Sequence, residues 1–240
     1  MSNLELLAKR FAVAPDPKLI SSIEQSLAAS ISPLLVSPSH GADLYELYIW
    51  SLVIDAARAE GASVEFRDVH SAPVSSSFVF RTSPGRIFSK LHPYTHARIV
   101  FDQCPPLEAH VGIFVSGKSK VIHECDVPVI YADAAATCRL EEVHPKSTQL
   151  LLSAECKFYV QSTMGVGLAR SYLGLVTEVK HTYRECYFVA VSESNSVEKL
   201  FAHHQKDWET GVAPDDVRAR PQRLRASFEK AFRNFKLREA

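Results

Sequence analysis

Apolar positions recurring every three to four residues mark two helices near the start of the chain. "DPKLISSIEQSLAASISPLL" aligns Leu19, Ile20, Ile23, Leu27 and Ile31, with Pro17 near its beginning, and residues 1–36 read as helical. "VSPSHGA" (36–42) breaks the pattern. Asp43 is the expected N-cap of a second helix, "LYELYIWSLVIDAARAEG" (44–61), which Gly61 ends. The apolar pattern then becomes that of strands, expected at 63–69, 77–81, 97–102, 108–116, 120–131 and 149–159, with "SGKS" (116–119) as a hairpin turn. "QSTMGVGLARSYLGLVTEV" (161–179) returns to helical spacing. "ECYFVAVS" (185–192) is apolar throughout, as a strand covered on both faces should be. Residues 195–238 are polar and mostly helical, with a break at "GVAPDD" (211–216).

This order predicts an α/β fold with a mixed central sheet flanked by helices. A strand–helix–strand unit near the end suggests a parallel crossover. Three parts are expected: an N-terminal helical extension (1–42), a core (43–194) and a basic, helical C-terminal extension (195–240). In the last part Leu224, Phe228, Phe232 and Phe235 stand at near-helical spacing among Lys and Arg. Such a helix docks its apolar face on this domain or on a second subunit, or it serves as a phosphate-tracking arm.

Side chains on a strand alternate between faces. In "LLLSAECKFY" the alternation puts Leu150, Leu152, Ala154, Cys156 and Phe158 on one face. Leu151, Ser153, Glu155, Lys157 and Tyr159 take the other, so a carboxylate and an ammonium share one face of a strand otherwise fit for burial. In "KVIHECDVPVIY" Ile122, Glu124 and Asp126 share a face, and Asp126 runs directly into an apolar stretch. Cys125 and Cys156 fall opposite the acids and read as small core residues. Two carboxylates from neighbouring strands, with the Cys156 carbonyl between Glu155 and Lys157, form an oxygen donor set for a hard divalent cation.

Composition removes several classes. Of 240 residues, 46% are hydrophobic and 22% charged, which fits an ordinary soluble protein. The net charge is zero, so no strongly basic nucleic-acid binder is announced, although a local basic patch is compatible. No apolar run reaches about 18 residues and no signal peptide opens the chain, so neither a membrane span nor export is expected. Five cysteines without a CxxC pair suggest reduced thiols and a cytoplasmic setting. "GVG" (165–167) and "SGKS" lack the remainder of a nucleotide-binding loop. His203 and His204 read as solvated, and His123 as a core histidine.

With Asp126 in "HECDVPVI" (123–130) and the E-x-K of "AECKFY" (154–159), the sequence resembles the PD-(D/E)xK nuclease superfamily, nearest to its Mrr-type branch. The family's restriction-endonuclease-like αβββαβ core matches the order of elements from residue 43 to about 192. Cys125 stands where the family often has proline. The resemblance implies a metal-dependent endonuclease acting on nucleic acid, chiefly DNA, and the branch implies a role in restriction or anti-phage defence. It implies Mg²⁺, with Mn²⁺ as a substitute, held by Asp126, Glu155 and the Cys156 carbonyl, and Lys157 positioning the attacking water. The core helix of the family often adds an acid. Glu46 lies on the apolar side of its helix, as an additional site carboxylate or as a first-turn acid favoured by the helix dipole. Gln161 is expected to polarise the site, and Arg170 to contact phosphate or to pack. A homo-oligomer, or a partner supplying recognition or activation, would complete the enzyme. The alternative is a catalytically inactive nuclease fold that binds nucleic acid or protein.

Overall fold

The computed structural model describes residues 17–28, 41–76, 78–91, 94–159, 164–180 and 185–239. Helices α1 (Pro17–Leu27) and α2 (Gly41–Ala59) precede strands β1 (Ser63–Arg67), β2 (His96–Val100) and β3 (Leu107–Ala109). A hairpin of β4 (Ile113–Ser116) and β5 (Ile122–Cys125) leads into β6 (Val127–Tyr131) and α3 (Ala132–Glu141). Then come β7 (Leu150–Lys157), α4 (Val166–Val179), β8 (Glu185–Ala190), α5 (Asn195–His203), β9 (Asp207–Thr210) and α6 (Arg220–Glu239). The large sheet is ordered β1-β2-β3-β6-β7-β8-β9. It is antiparallel from β1 to β7 and parallel from β7 to β9, so the chain is an α/β protein with a mixed seven-stranded sheet.

Two apolar layers pack on this sheet. One joins α1, α2 and α6 to residues such as Val129, Leu152 and Val189; the other joins α3, α4, α5 and the hairpin to Ile130 and Phe188. β8 is buried almost throughout, as its unbroken apolar run predicts. Helix α2 begins at Gly41, so Asp43 lies in its first turn instead of capping it. Gly61 takes a φ of +90°, and the Ala62 N–H donates to the Ala57 carbonyl (3.0 Å) in the turn that stops the helix.

Two expected strands are each divided. The run 108–116 breaks at Gly112, whose φ of +58° turns the chain out of the sheet into the hairpin. The run 120–131 breaks at Asp126, where the chain returns. The Gly112 N–H donates to the Asp126 carbonyl (2.8 Å), so exit and return are tied together. Residues 78–81 form no continuous strand; Phe78 and Phe80 instead fill a cluster with Phe66 and Trp50. The alternation along β7 also fails at one position. A register shift opposite Val129 and Ile130 sends Leu150 to the second apolar layer, while Leu151 and Leu152 both pack in the first.

The C-terminal segment adds more than helix. "DWET" (207–210) pairs with β8 as the edge strand β9. Leu224, Phe228, Phe232 and Phe235 of α6 are buried against this same domain, with Phe101 5.5 Å from Phe232 ring to ring. All five cysteines are free thiols, and among the described residues no helix is long and apolar enough to cross a membrane.

Candidate active site

The strand pattern brings the acids together. β6 and β7 pair with Val127 opposite Ala154, which sets Asp126 beside the end of β7 that carries Glu155 and Lys157. The Lys157 ammonium lies 2.6 Å from Glu155 Oε1 and 3.7 Å from Asp126 Oδ2, so one cation spans both carboxylates. Asp126 is 4% exposed, and its Oδ2 accepts the Cys156 N–H at 2.7 Å. That bond fixes the carboxylate against the backbone of β7.

Glu46 arrives from the other layer. A Cβ at Gly41 would meet the Phe158 ring at 2.8 Å, so only glycine lets the start of α2 come this close to the end of β7. Tyr45 packs on Phe158 (5.6 Å between ring centres), and Glu46, one residue on, lines a cleft of about 370 Å³ with Asp126, Glu155, Lys157 and Tyr159. Glu124 lines it too. It was not among the expected site residues, although period-two reading of "IHECD" places it on the face of Asp126. Four acids thus share the cleft with one lysine.

The shortage of positive charge shows in the acidities. Burial, then the proximity of Asp126, Asp43 and Glu124, pushes the Glu46 carboxyl up to about 10. Burial and the neighbouring Glu155 raise Asp126 to about 7, against the opposing pull of Lys157 and the Cys156 N–H. Burial and Glu155 also raise Glu124. Burial alone would lower Lys157, but Asp126 and Glu155 outweigh it and the ammonium is held above its ordinary range. Burial raises the Cys156 thiol as well, which leaves its carbonyl, not a thiolate, as the donor at that residue.

These groups fit a hard cation better than a soft one, since every available donor is oxygen. Among the described residues, Glu46, Glu124, Asp126 and Glu155 supply no set of three ligand atoms within 4.8 Å of one another. An ion in this cleft would therefore take no more than two of these carboxylates, with other oxygen donors or water filling its shell. Arg170 is exposed on α4 and is not among the residues lining the cleft. Gln161 lies outside the described residues. The chain matches no protein-family model, and no curated protein or solved structure matches it.

Proposed function

We propose that this chain is a metal-dependent nuclease that hydrolyses phosphodiester bonds of nucleic acid, with DNA as the first substrate to test. One observation carries the reading: Lys157 bridges Asp126 and Glu155 in a cleft that holds two further acids. Asp126, Glu155 and the Cys156 carbonyl would hold Mg²⁺, with Glu46 and Glu124 lining the same cleft. A bound Mg²⁺ lowers the pKa of water and offsets charge gathering on a phosphate. Lys157 orients the attacking water by donating to it and stabilises the phosphoryl oxygens. Asp126 lines the cleft with its carboxylate fixed by the Cys156 N–H. Because phosphate contacts dominate such binding, affinity should fall steeply as salt rises.

The test is cleavage of plasmid, linear DNA and RNA by pure protein with Mg²⁺, Mn²⁺ or EDTA, beside Asp126→Ala, Glu155→Ala and Lys157→Ala. Metal-dependent cutting that disappears in all three variants supports the assignment. Cutting that survives Glu155→Ala and Lys157→Ala defeats it.

A further inference from the structure

The sheet carries a second cluster of ligating groups, away from the cleft, that the proposed reaction does not use. Ala97 of β2 pairs with Ala109 of β3, and Arg98 with Glu108. One step further in that antiparallel register, His96 stands across from His110. Glu108 lies two residues before His110, on the same face. Three chemistry-bearing side chains therefore converge, in sequence only as "EAH" and a histidine one strand away. His96 and His110 are 0% exposed and Glu108 3%.

Their nitrogens are not satisfied. His96 Nδ1, His96 Nε2 and His110 Nδ1 have no hydrogen-bond partner. Buried polar atoms in native proteins nearly always have one. Of the three, His96 Nε2 is the one beside Glu108 Oε2, to which His110 Nε2 is already hydrogen-bonded, so His96 Nε2 is the orphan an ion placed between them would satisfy. The distances say what would fit. Glu108 Oε2 lies 3.1 Å from His110 Nε2 and 3.5 Å from His96 Nε2, and all three ligand atoms lie within 4.8 Å of one another. Bonds of about 2.0–2.1 Å to a tetrahedral ion set neighbouring donors roughly 3.3 Å apart, midway between those two values. The imidazole rings are 5.0 Å apart and only 15° from parallel. Stacked rings do not aim both in-plane lone pairs at one point, so one imidazole has to rotate out of the stack for both to reach the ion.

We propose that His96, Glu108 and His110 form a binding site for Zn²⁺ or a similar transition-metal ion. Arg139 of α3 clamps Glu108 from behind, donating to its two oxygens at 2.8 and 2.7 Å, the role that outer hydrogen bonds play in orienting a ligating carboxylate. Glu108 and Arg139 cancel in charge, so the pocket has no surplus anion to hold a hard ion. Imidazole nitrogen must supply the bonding, and that favours Zn²⁺ over Mg²⁺ or Ca²⁺. The Tyr94 hydroxyl, whose ring lies beside both histidines, is committed to the Ile87 carbonyl (2.7 Å), so it is not one of the ligands. The ion would clasp β2 to β3 and, through Arg139, to α3.

The test uses the full chain stripped with chelator, desalted and titrated with Zn²⁺ and with Co²⁺. About one equivalent should be retained at this site, Co²⁺ should give the visible bands of low coordination, and saturating Zn²⁺ should raise Tm by on the order of 5 °C. His96→Gln and His110→Gln should each weaken binding at least about tenfold, while Asp126→Asn keeps the Co²⁺ bands. No retained Zn²⁺ or Co²⁺ in the wild-type chain overturns the proposal, as do Co²⁺ bands that persist in both histidine variants. If those variants do not fold, X-ray absorption on the zinc-loaded wild type decides: two imidazoles at zinc support the site, and none overturns it.

Discussion

The Cys156 N–H donates to Asp126 Oδ2 across 2.7 Å, which locks the return of the chain from the hairpin to the strand that carries Glu155 and Lys157. An asparagine at 126 can still accept that bond through its side-chain oxygen, so Asp126→Asn removes charge and keeps geometry. The folded carboxyl is raised to about 7, against about 3.9 in an unfolded chain. A raised pKa means that its contribution to stability is full below about pH 4 and is lost as pH rises through 7. In EDTA, Asp126→Asn should therefore melt above the wild type at pH 8, by on the order of 5 °C, with the gap closing toward pH 4. Melts from pH 4 to 8 check this, and a gap that is constant or grows toward acid contradicts it. Cleavage should fall at least about 10²-fold.

Lys157 has the opposite dependence. Its ammonium offsets two carboxylates at 2.6 and 3.7 Å, and Asp126 is nearly dry. Lys157→Gln leaves those charges facing each other and should cost on the order of 2 kcal/mol at pH 8, less at pH 4, where the acids take up protons. Lys157→Arg restores the charge but not the compact ammonium that fits between two oxygens. It should recover most of the Tm and little of the cleavage, a split that melting and turnover measured on the same samples will show.

Glu46 is raised to about 10, so it enters the neutral-pH cleft protonated. A cation bound beside it must drive that proton off, because ligands bind metals in their deprotonated form. Titrating Mn²⁺ calorimetrically in buffers of different ionisation enthalpy should show proton release by the wild type and about one proton less for Glu46→Gln, with weaker affinity. Equal release from both would place Glu46 outside the metal's reach and leave Glu124 as the flanking acid.

Much of this architecture is legible in residue order because the strongest signals are local. Two-residue alternation places Glu155 and Lys157 together, and the apolar run after the acid in "ECDVPV" marks Asp126 as an acid set beside the core. What escapes is set by neighbours distant in sequence. "DWET" has no apolar alternation and becomes β9 only because β8 offers it an edge. Leu150 changes sides because of an irregularity that its partner strand shares. The run 108–116 looks continuous until Gly112, at a φ of +58°, turns it away. His96 and Glu108 belong to different strands, so no spacing along the chain announces their cluster. Glu124 was on the right face throughout, but an exposed acid in a hairpin carries no sign that it will line a cleft with Asp126 and Glu155.

Helix α6 offers a sharp contrast between core and surface on one element. Phe232 is fully buried and packs on Phe101, whereas Arg233 is 58% exposed and pairs with Glu60. Phe232→Ala removes a large buried ring and should cost about 3–5 kcal/mol, lowering Tm by roughly 6–15 °C. Arg233→Ala breaks an exposed pair and should cost less than about 1 kcal/mol. If the basic C-terminal segment were instead a detachable arm that tracks phosphates, the order would reverse. Phe232→Ala would leave the melt unchanged, and Arg233→Ala would weaken DNA binding and flatten its dependence on salt. Melting curves and binding isotherms for the two variants, measured at two salt concentrations, separate a helix that completes the core from one that only touches it.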